Sequence, residues 1–283
     1  MRGNEVVHLP FTLTNDYGDP IVGDLRFVEG FPGKPVVIVC HSFMAFKDWG
    51  FFPYVATKLA EAGFVAATFN FSLNGVGSDK KITDFDNFAR NTFSRELHDL
   101  KVVTDALCNN AFGIGNTDSG RLSVLGHSRG GGIAIVFTAL ETRVRAVVTW
   151  SAISTFDRWS NHQKEKWRSL GFLPLAKDAT ISPLRLGIGL LQDFEQHRDT
   201  LDILAAAARL DRPWLIVHGR EDVTVHAREA EALYGAADKT RSELLMLDHV
   251  GHLYNAASSD EDGYRTIDHI LDLTTHWLQG QLY

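Results

Sequence analysis

The sequence predicts an α/β protein: a mostly parallel central sheet with helices on both faces, carrying a helical insertion. Three observations predict it. Along most of the 283 residues, short apolar runs rich in β-branched side chains alternate with runs of helical spacing, the pattern of βαβ units. The runs "PVVIVC" and "FVAATFNF" are apolar nearly throughout, as expected for strands buried on both faces. Finally, the strand-like "RLSVLG" meets the helix-like "GGIAIVFTALE" through Gly-His-Ser-Arg-Gly. That turn is too rich in glycine for either element, since each interior glycine costs roughly 0.5–1 kcal/mol relative to alanine.

The elements follow in order. "VVHLPFTLT" and "IVGDLRFVE" are β-rich pieces separated by "NDYGDP", whose Asn, Gly, Asp and Pro are turn formers. "PVVIVC" (35–40) is a strand, and "VATKLAEAG" (55–63) a helix that stops at Gly63,. "FVAATFNF" (64–71) is a strand and "SRELHDLKVVTDAL" (94–107) a helix. After the glycine turn and its helix comes the strand "RAVVTW"; later, "PWLIVHG" and "SELLMLD" are strands on either side of the helix "HAREAEALYGA". The closing helix lies within "YRTIDHILDLTTHWLQ". Between the strands at Trp150 and Trp214, about sixty residues hold no buried-strand run. Their "WSNHQKEKWRSLGF" and "LRLGIGLLQDFEQHRDTLDILAAAARL" are helical in character. A single domain over 1–283 is therefore expected, with a helical cap at about 152–210 over the sheet's C-terminal edge.

Composition narrows the class. An apolar share of 45%, a charged share of 22% and 18 Phe describe an ordinary globular chain,. It is long enough to form a core without a metal or disulfide staple. A formal charge of −7 gives no reason to expect nucleic acid or an anionic membrane as partner,. Cys40 and Cys108 make neither a disulfide framework nor a metal spacing,. The opening "MRGNEVVHLPFTLTNDYGD" lacks an apolar signal region, and no run reaches membrane-spanning length, so a cytoplasmic setting is expected.

The chemistry is carried by the glycine turn. Gly126-His127-Ser128-Arg129-Gly130 matches G-x-S-x-G between a strand and a helix, where a sharp strained turn exposes the serine Oγ as a nucleophile. A serine hydroxyl needs a positioned base, and the expected order along the chain is Ser, Asp or Glu, then His. "LIVHGREDVTVHA" offers Glu221 and Asp222, and "LLMLDHVGHLYNA" offers Asp248, His249 and His252. An oxyanion hole needs two backbone N–H groups. Arg129, which follows the serine, supplies one, and the loop after "PVVIVC" the other.

These residues resemble the α/β-hydrolases, and are similar to the stand-alone relatives of the prolyl oligopeptidase, dienelactone hydrolase and feruloyl esterase group. "VVIVCHSFMAFKDW", "FNFSLNGVGSD", "LGHSRGGG", "IVHGREDVTV" and "LDHVGHLYN" fall in the family's order, so the resemblance covers nearly the whole chain. It implies Asp222 as the acid, from the H-G-x-x-D pattern, and His252 as the base, from the glycine before it. It implies Phe43 as the second oxyanion donor, with Ser42 as runner-up; Ser42 stands where the family usually has glycine, which eases the loop's close approach. It further implies hydrolysis of small or medium carboxylic esters through an acyl-enzyme, with no cofactor. The same triad also serves aminopeptidase-type peptidases and acyltransferases, and a binding protein on this scaffold is the remaining alternative. The family's peptidases add a β-propeller and acidic residues that grip an amino terminus. Only about thirty residues precede the first buried strand here, which favours esters. A serine at position 128 disfavours displacement at alkyl carbon, which uses a carboxylate nucleophile.

Other readings are weaker. "NGVGSD" lacks the third glycine of a dinucleotide fingerprint,. His249 and His252 form H-x-x-H without a credible third ligand, so no metal is expected. Trp159, Trp167, Phe172 and Phe194 are candidates to line an acyl pocket, and equally candidates for a packed helix face.

Overall fold

The computed structural model describes residues 5–30, 33–114, 117–176, 183–256 and 261–283. It opens with a hairpin of β1 (Val6–Thr14) and β2 (Pro20–Val28). Asn15 builds the turn between them: its Oδ1 accepts from the N–H groups of Tyr17 and Asp19, and Gly18 takes φ 82°, a value only glycine adopts without strain. The α/β alternation follows: β3 (Lys34–Cys40), α1 (Phe52–Glu61), β4 (Val65–Phe69), α2 (Phe85–Arg90), α3 (Phe93–Cys108), β5 (Thr117–His127), α4 (Arg129–Leu140) and β6 (Val144–Trp150). After β6 come α5 (Asn161–Leu170), β7 (Phe172–Pro174), β8 (Arg185–Gly187), α6 (Ile188–Gln196) and α7 (Ile203–Arg209). The chain then rejoins the sheet with β9 (Trp214–Gly219), α8 (Ala227–Ala236), β10 (Ser242–Leu247) and α9 (Glu261–Leu282).

Eight strands form one sheet in the order β1-β2-β4-β3-β5-β6-β9-β10. From β4 to β10 every pairing is parallel; β2 runs antiparallel to both β1 and β4. Every residue of β3 and β4 is buried, as their unbroken apolar runs demand. The period-2 pleat of a strand divides their side chains between two cores. Val36 and Ile38 face one core, with α3, α4 and α7, while Val37 and Val39 face the other, with α1 and α9. Helix α4 lies deepest, with ten of its twelve residues buried, which explains why its sequence has no polar stripe.

Two features exceed what the sequence pattern reveals. Helix α2 has six residues, started by Asp84, whose side chain accepts from Asn87 N–H. Strands β7 and β8 have three residues each and pair apart from the main sheet. Elements this short bury too little for a periodicity to show. The second helical stretch of the insertion resolves into β8, α6 and α7, with Asp202 capping α7. Helix α7 packs on α4, and α6 on α3.

This topology concentrates function at one edge. From β3 the chain moves to β4 on one side, then crosses to β5 on the other. At such a switch point the loops at the strands' C-terminal ends part and leave a crevice. The residues after β3, β5, β6, β9 and β10 meet there.

Candidate active site

Ser128 stands between β5 and α4 at φ 57°, ψ −118°, a conformation costing about 1–3 kcal/mol that persists only where its surroundings enforce it. They do so here. Ser128 N–H donates to Trp150 C=O at 2.9 Å, and Ser128 C=O accepts from Gly131 N–H at 3.0 Å and Ile153 N–H at 3.3 Å. The glycines are needed for closeness. A Cβ at Gly126 would lie 2.3 Å from Gly130 O, one at Gly130 would lie 2.4 Å from His41 O, and one at Gly131 would lie 2.5 Å from Ala152 Cβ. The turn is thus pressed against itself and against the loop after β3.

Ser128 Oγ lies 3.1 Å from His252 Nε2, and His252 Nδ1 lies 2.7 Å from Asp222 Oδ2. A carboxylate can only accept, so Nδ1 carries the proton and Nε2 is left to accept from the serine O–H. Asp222 is buried at 3% exposure, and its Oδ1 accepts from Thr224 N–H at 2.9 Å and Val225 N–H at 2.8 Å. Burial alone would raise its pKa. The hydrogen bonds from His252, Val225 and Thr224 outweigh burial and hold it below the usual carboxylate value,. The neighbouring candidates form a separate pair: His249 Nδ1 lies 2.9 Å from Glu221 Oε1, both exposed. Asp248 pairs with Arg220. The two histidines of H-x-x-H therefore turn to different carboxylates.

Three buried histidines that the sequence reading left without roles brace this arrangement. His127 Nε2 lies 3.0 Å from His252 C=O, so a proton on Nε2 holds the last loop in place. His218 Nε2 bonds Val225 C=O at 2.8 Å and lies 3.5 Å from Asp222 Oδ2. His41 accepts Phe71 N–H at Nε2, which leaves Nδ1–H to donate to Ser42 C=O at 2.8 Å. The signal in the sequence is a histidine at or next to a strand's C-terminal end, where its ring is buried yet reaches loop backbone.

Burial pushes His41 down to about 4 and His127 down to about 3. Their folded pKa values lie below the ordinary 6.5 of an unfolded chain, so the unfolded state binds protons that the folded state refuses. Their contribution is complete above pH 6.5 and is lost as pH falls toward the folded values, by about 2 kcal/mol per histidine between pH 7 and pH 5. Urea unfolding at the two pH values is expected to show this loss. His41→Asn, which retains a donor toward Ser42 C=O, is expected to make it smaller; an unchanged pH slope would contradict the assignment.

Ser128 opens on a cavity of about 370 Å³. Its walls are Phe43, Trp49, Phe93, Ile153, Phe156, Trp159, Leu175, Leu186, Val225 and Leu253, with Ser42, Arg129, Arg158, Thr224 and His252 as polar members. Phe43 and Arg129 both face it, and Arg129 begins α4. Of the aromatic candidates, Trp159 reaches the cavity. Trp167 does not: it is fully buried behind Trp159, their rings at 4.9 Å. Phe172 is not among the lining residues and lies instead under the Arg185 guanidinium at 5.6 Å. Phe194 packs on Phe93. Both cavity arginines are paired, Arg129 with Glu96 and Arg158 with Glu229. Glu96 was not foreseen, although the helical spacing from Phe93 to Leu100 and Val103 sets it on the buried face of α3.

A mostly parallel eight-stranded sheet, with this turn between its middle strand and helix, is the α/β-hydrolase fold. The chain belongs to the prolyl oligopeptidase family, whose signature matches residues 49–281. It is 26% identical over 210 residues to 2,6-dihydropseudooxynicotine hydrolase of Paenarthrobacter nicotinovorans, a match covering 72% of this chain and 49% of that protein. The chain thus spans about half the length of that curated relative. Similar solved structures include the α/β hydrolase GrgF of Penicillium sp. sh18 (16% identity, 98% and 99% of the two chains, TM-score 0.73). Another is Est1E of Butyrivibrio proteoclasticus with ferulic acid bound (16%, 96% and 98%, TM-score 0.69). A third is the esterase Pf2001 of Pyrococcus furiosus (16%, 98% and 93%, TM-score 0.66). At these identities the likeness to the solved structures is one of fold. Among the described residues, no helix is long and apolar enough to cross a membrane.

Proposed function

We propose that this chain hydrolyses small or medium carboxylic esters through an acyl-enzyme on Ser128. The observation that carries the reading is the line Asp222–His252–Ser128, at 2.7 and 3.1 Å, opening on an apolar cavity. Ser128 Oγ attacks the ester carbonyl carbon while His252 Nε2 takes its proton. The oxyanion of the tetrahedral intermediate is received by the backbone N–H groups of Phe43 and Arg129. Collapse expels the alcohol, protonated by His252; water then attacks the acyl-enzyme with His252 again as base, releasing the acid and restoring Ser128. Asp222 stays ionised throughout, keeping the proton on Nδ1 and stabilising the imidazolium.

The cavity's chemistry supports an ester over a peptide. Its described lining contains no Asp or Glu, so no carboxylate there awaits a substrate's amino terminus. The residues at about 152–210 act in this reading as the cap, supported by Ile153, Phe156, Trp159, Leu175 and Leu186 lining the cavity from that interval. A cytoplasmic setting, supported by the free thiols of Cys40 and Cys108, completes it. The deciding measurement is kcat/KM for a short-chain aryl ester against aminoacyl and dipeptidyl anilides, each divided by its uncatalysed rate. The ester is expected to lead on that scale. A leading anilide would make this chain a peptidase.

A further inference from the structure

The Arg129 side chain offers more than its backbone. Its guanidinium lies in the cavity wall between two aromatic rings, 5.0 Å from the Phe43 centroid and 4.6 Å from that of Phe93. Glu96 on α3 grips it: Nε donates to Oε2 at 3.2 Å, and Nη2 lies 2.9 Å from Oε1. Asn91 Nδ2 in turn donates to Glu96 Oε1 at 2.7 Å. Both members of the ion pair are buried, Glu96 at 4% and Arg129 at 9% exposure. A buried pair of this kind is weak evidence of stabilisation, because well-packed apolar residues often serve as well. Its geometry points to another use. The guanidinium spans from the turn after β5 to the residue whose backbone is the other oxyanion donor.

We propose that the Glu96–Arg129 pair is a positioning device for the oxyanion hole, fixing the Arg129 N–H and, through the stacked Phe43 ring, the Phe43 N–H relative to each other. The inference rests on the reading of Ser128 and its two donors given above. The Phe43 side chain is 36% exposed, with its ring against Phe88 at 5.8 Å and against the guanidinium. The backbone is held from the other side, because the Phe43 N–H shares one planar peptide unit with Ser42 C=O. That carbonyl accepts from His41 Nδ1–H at 2.8 Å and from Ala45 N–H at 3.2 Å; the stacked ring adds a hold from the cavity side. A donor displaced by a fraction of an ångström still permits substrate binding but serves the transition state poorly.

The test is built on Glu96, which does not line the cavity and acts on substrate only through Arg129. Glu96→Gln is expected to lower kcat for a short-chain aryl ester by about ten-fold to a hundred-fold, with KM within about two-fold. The affinity of a boronic acid, which forms a tetrahedral adduct on the serine, is expected to fall by the same factor. Phe43→Leu is expected to reproduce the loss and Phe43→Tyr to restore most of the rate. The Glu96→Gln/Phe43→Leu double variant is expected to lose no more than the worse single, because both act through one guanidinium. A change confined to KM, additive losses, or boronate affinity unaltered in soluble variants would overturn the positioning role. If Glu96→Gln does not fold, the Phe43 series and its boronate affinities decide alone, since Phe43 lies at the surface of the cavity and not in the core. Ser128→Ala separates the two levels: turnover surviving it overturns the reading and this proposal together. With Ser128→Ala inactive, any of the overturning results removes the positioning role and leaves the reading standing.

Discussion

Ser128→Ala is expected to lower kcat/KM for a short-chain aryl ester by about 10⁴-fold to 10⁶-fold, since loss of the nucleophile leaves only binding and oxyanion catalysis. The fold is expected to survive. The backbone of the turn is held by the bonds from Ser128 N–H to Trp150 C=O and from Gly131 and Ile153 to Ser128 C=O, all of which alanine retains. Alanine also suffers the positive φ of 57° no more than serine does. Only the contact from Oγ to His252 Nε2 is lost, at the mouth of a cavity where water can replace it. Thermal unfolding within a few degrees of wild type is the check that activity, not folding, has changed. A fluorophosphonate is expected to label wild type on the peptide carrying residue 128 and to leave the variant unlabelled. Turnover or labelling that persists would show that another group does the chemistry.

The parts of this molecule that were legible in the sequence are those where one physical demand dominates. Strands buried on both faces must be apolar throughout, so β3 and β4 announce themselves. A turn pressed to within 2.3 to 2.5 Å of a missing Cβ must be glycine, so Gly126, Gly130 and Gly131 stand out. What was not legible depends on which partner a face meets. Trp159 and Trp167 lie eight positions apart and are equally apolar, yet Trp159 stands before α5 and reaches the cavity, while Trp167 sits within α5 and is sealed behind it. Sequence spacing describes a helix face but not what lies across from it. Glu96 marks the opposite case, a signal present but unread. A carboxylate on the buried face of α3 requires a partner, and the nearest cation in the assembled fold comes from the turn of another strand. The braces His41, His127 and His218 likewise take their meaning from loop carbonyls that only the tertiary structure brings near.

The adjacent carboxylate–histidine pairs give the second large effect, because sequence neighbours with equal chemistry should behave very differently. Glu221–His249 and Asp222–His252 have similar separations, 2.9 and 2.7 Å. Their surroundings differ. Side-chain exposures are 62% and 90% in the first pair, against 0% and 14% in the second. An exposed pair is worth about 0–1 kcal/mol and touches nothing in the cavity, so Glu221→Gln and His249→Ala are expected to leave kcat within about three-fold. His252→Ala removes the group positioned to accept from the Ser128 O–H and is expected to cost about 10⁴-fold or more. Asp222→Asn is the more telling change. Its Oδ1 faces two N–H donors, from Thr224 and Val225, so the amide must keep its oxygen on that side and turn its NH₂ toward His252. An NH₂ facing Nδ1 demands an unprotonated nitrogen, which moves the proton to Nε2. The imidazole then presents a donor to a serine that needs an acceptor. A loss of about 10⁴-fold in kcat is expected with the fold intact. Steady-state rates for the four variants on one aryl ester decide the matter. A large loss in His249→Ala or Glu221→Gln, with His252→Ala mild, would move the base three residues toward the amino terminus and overturn the assignment.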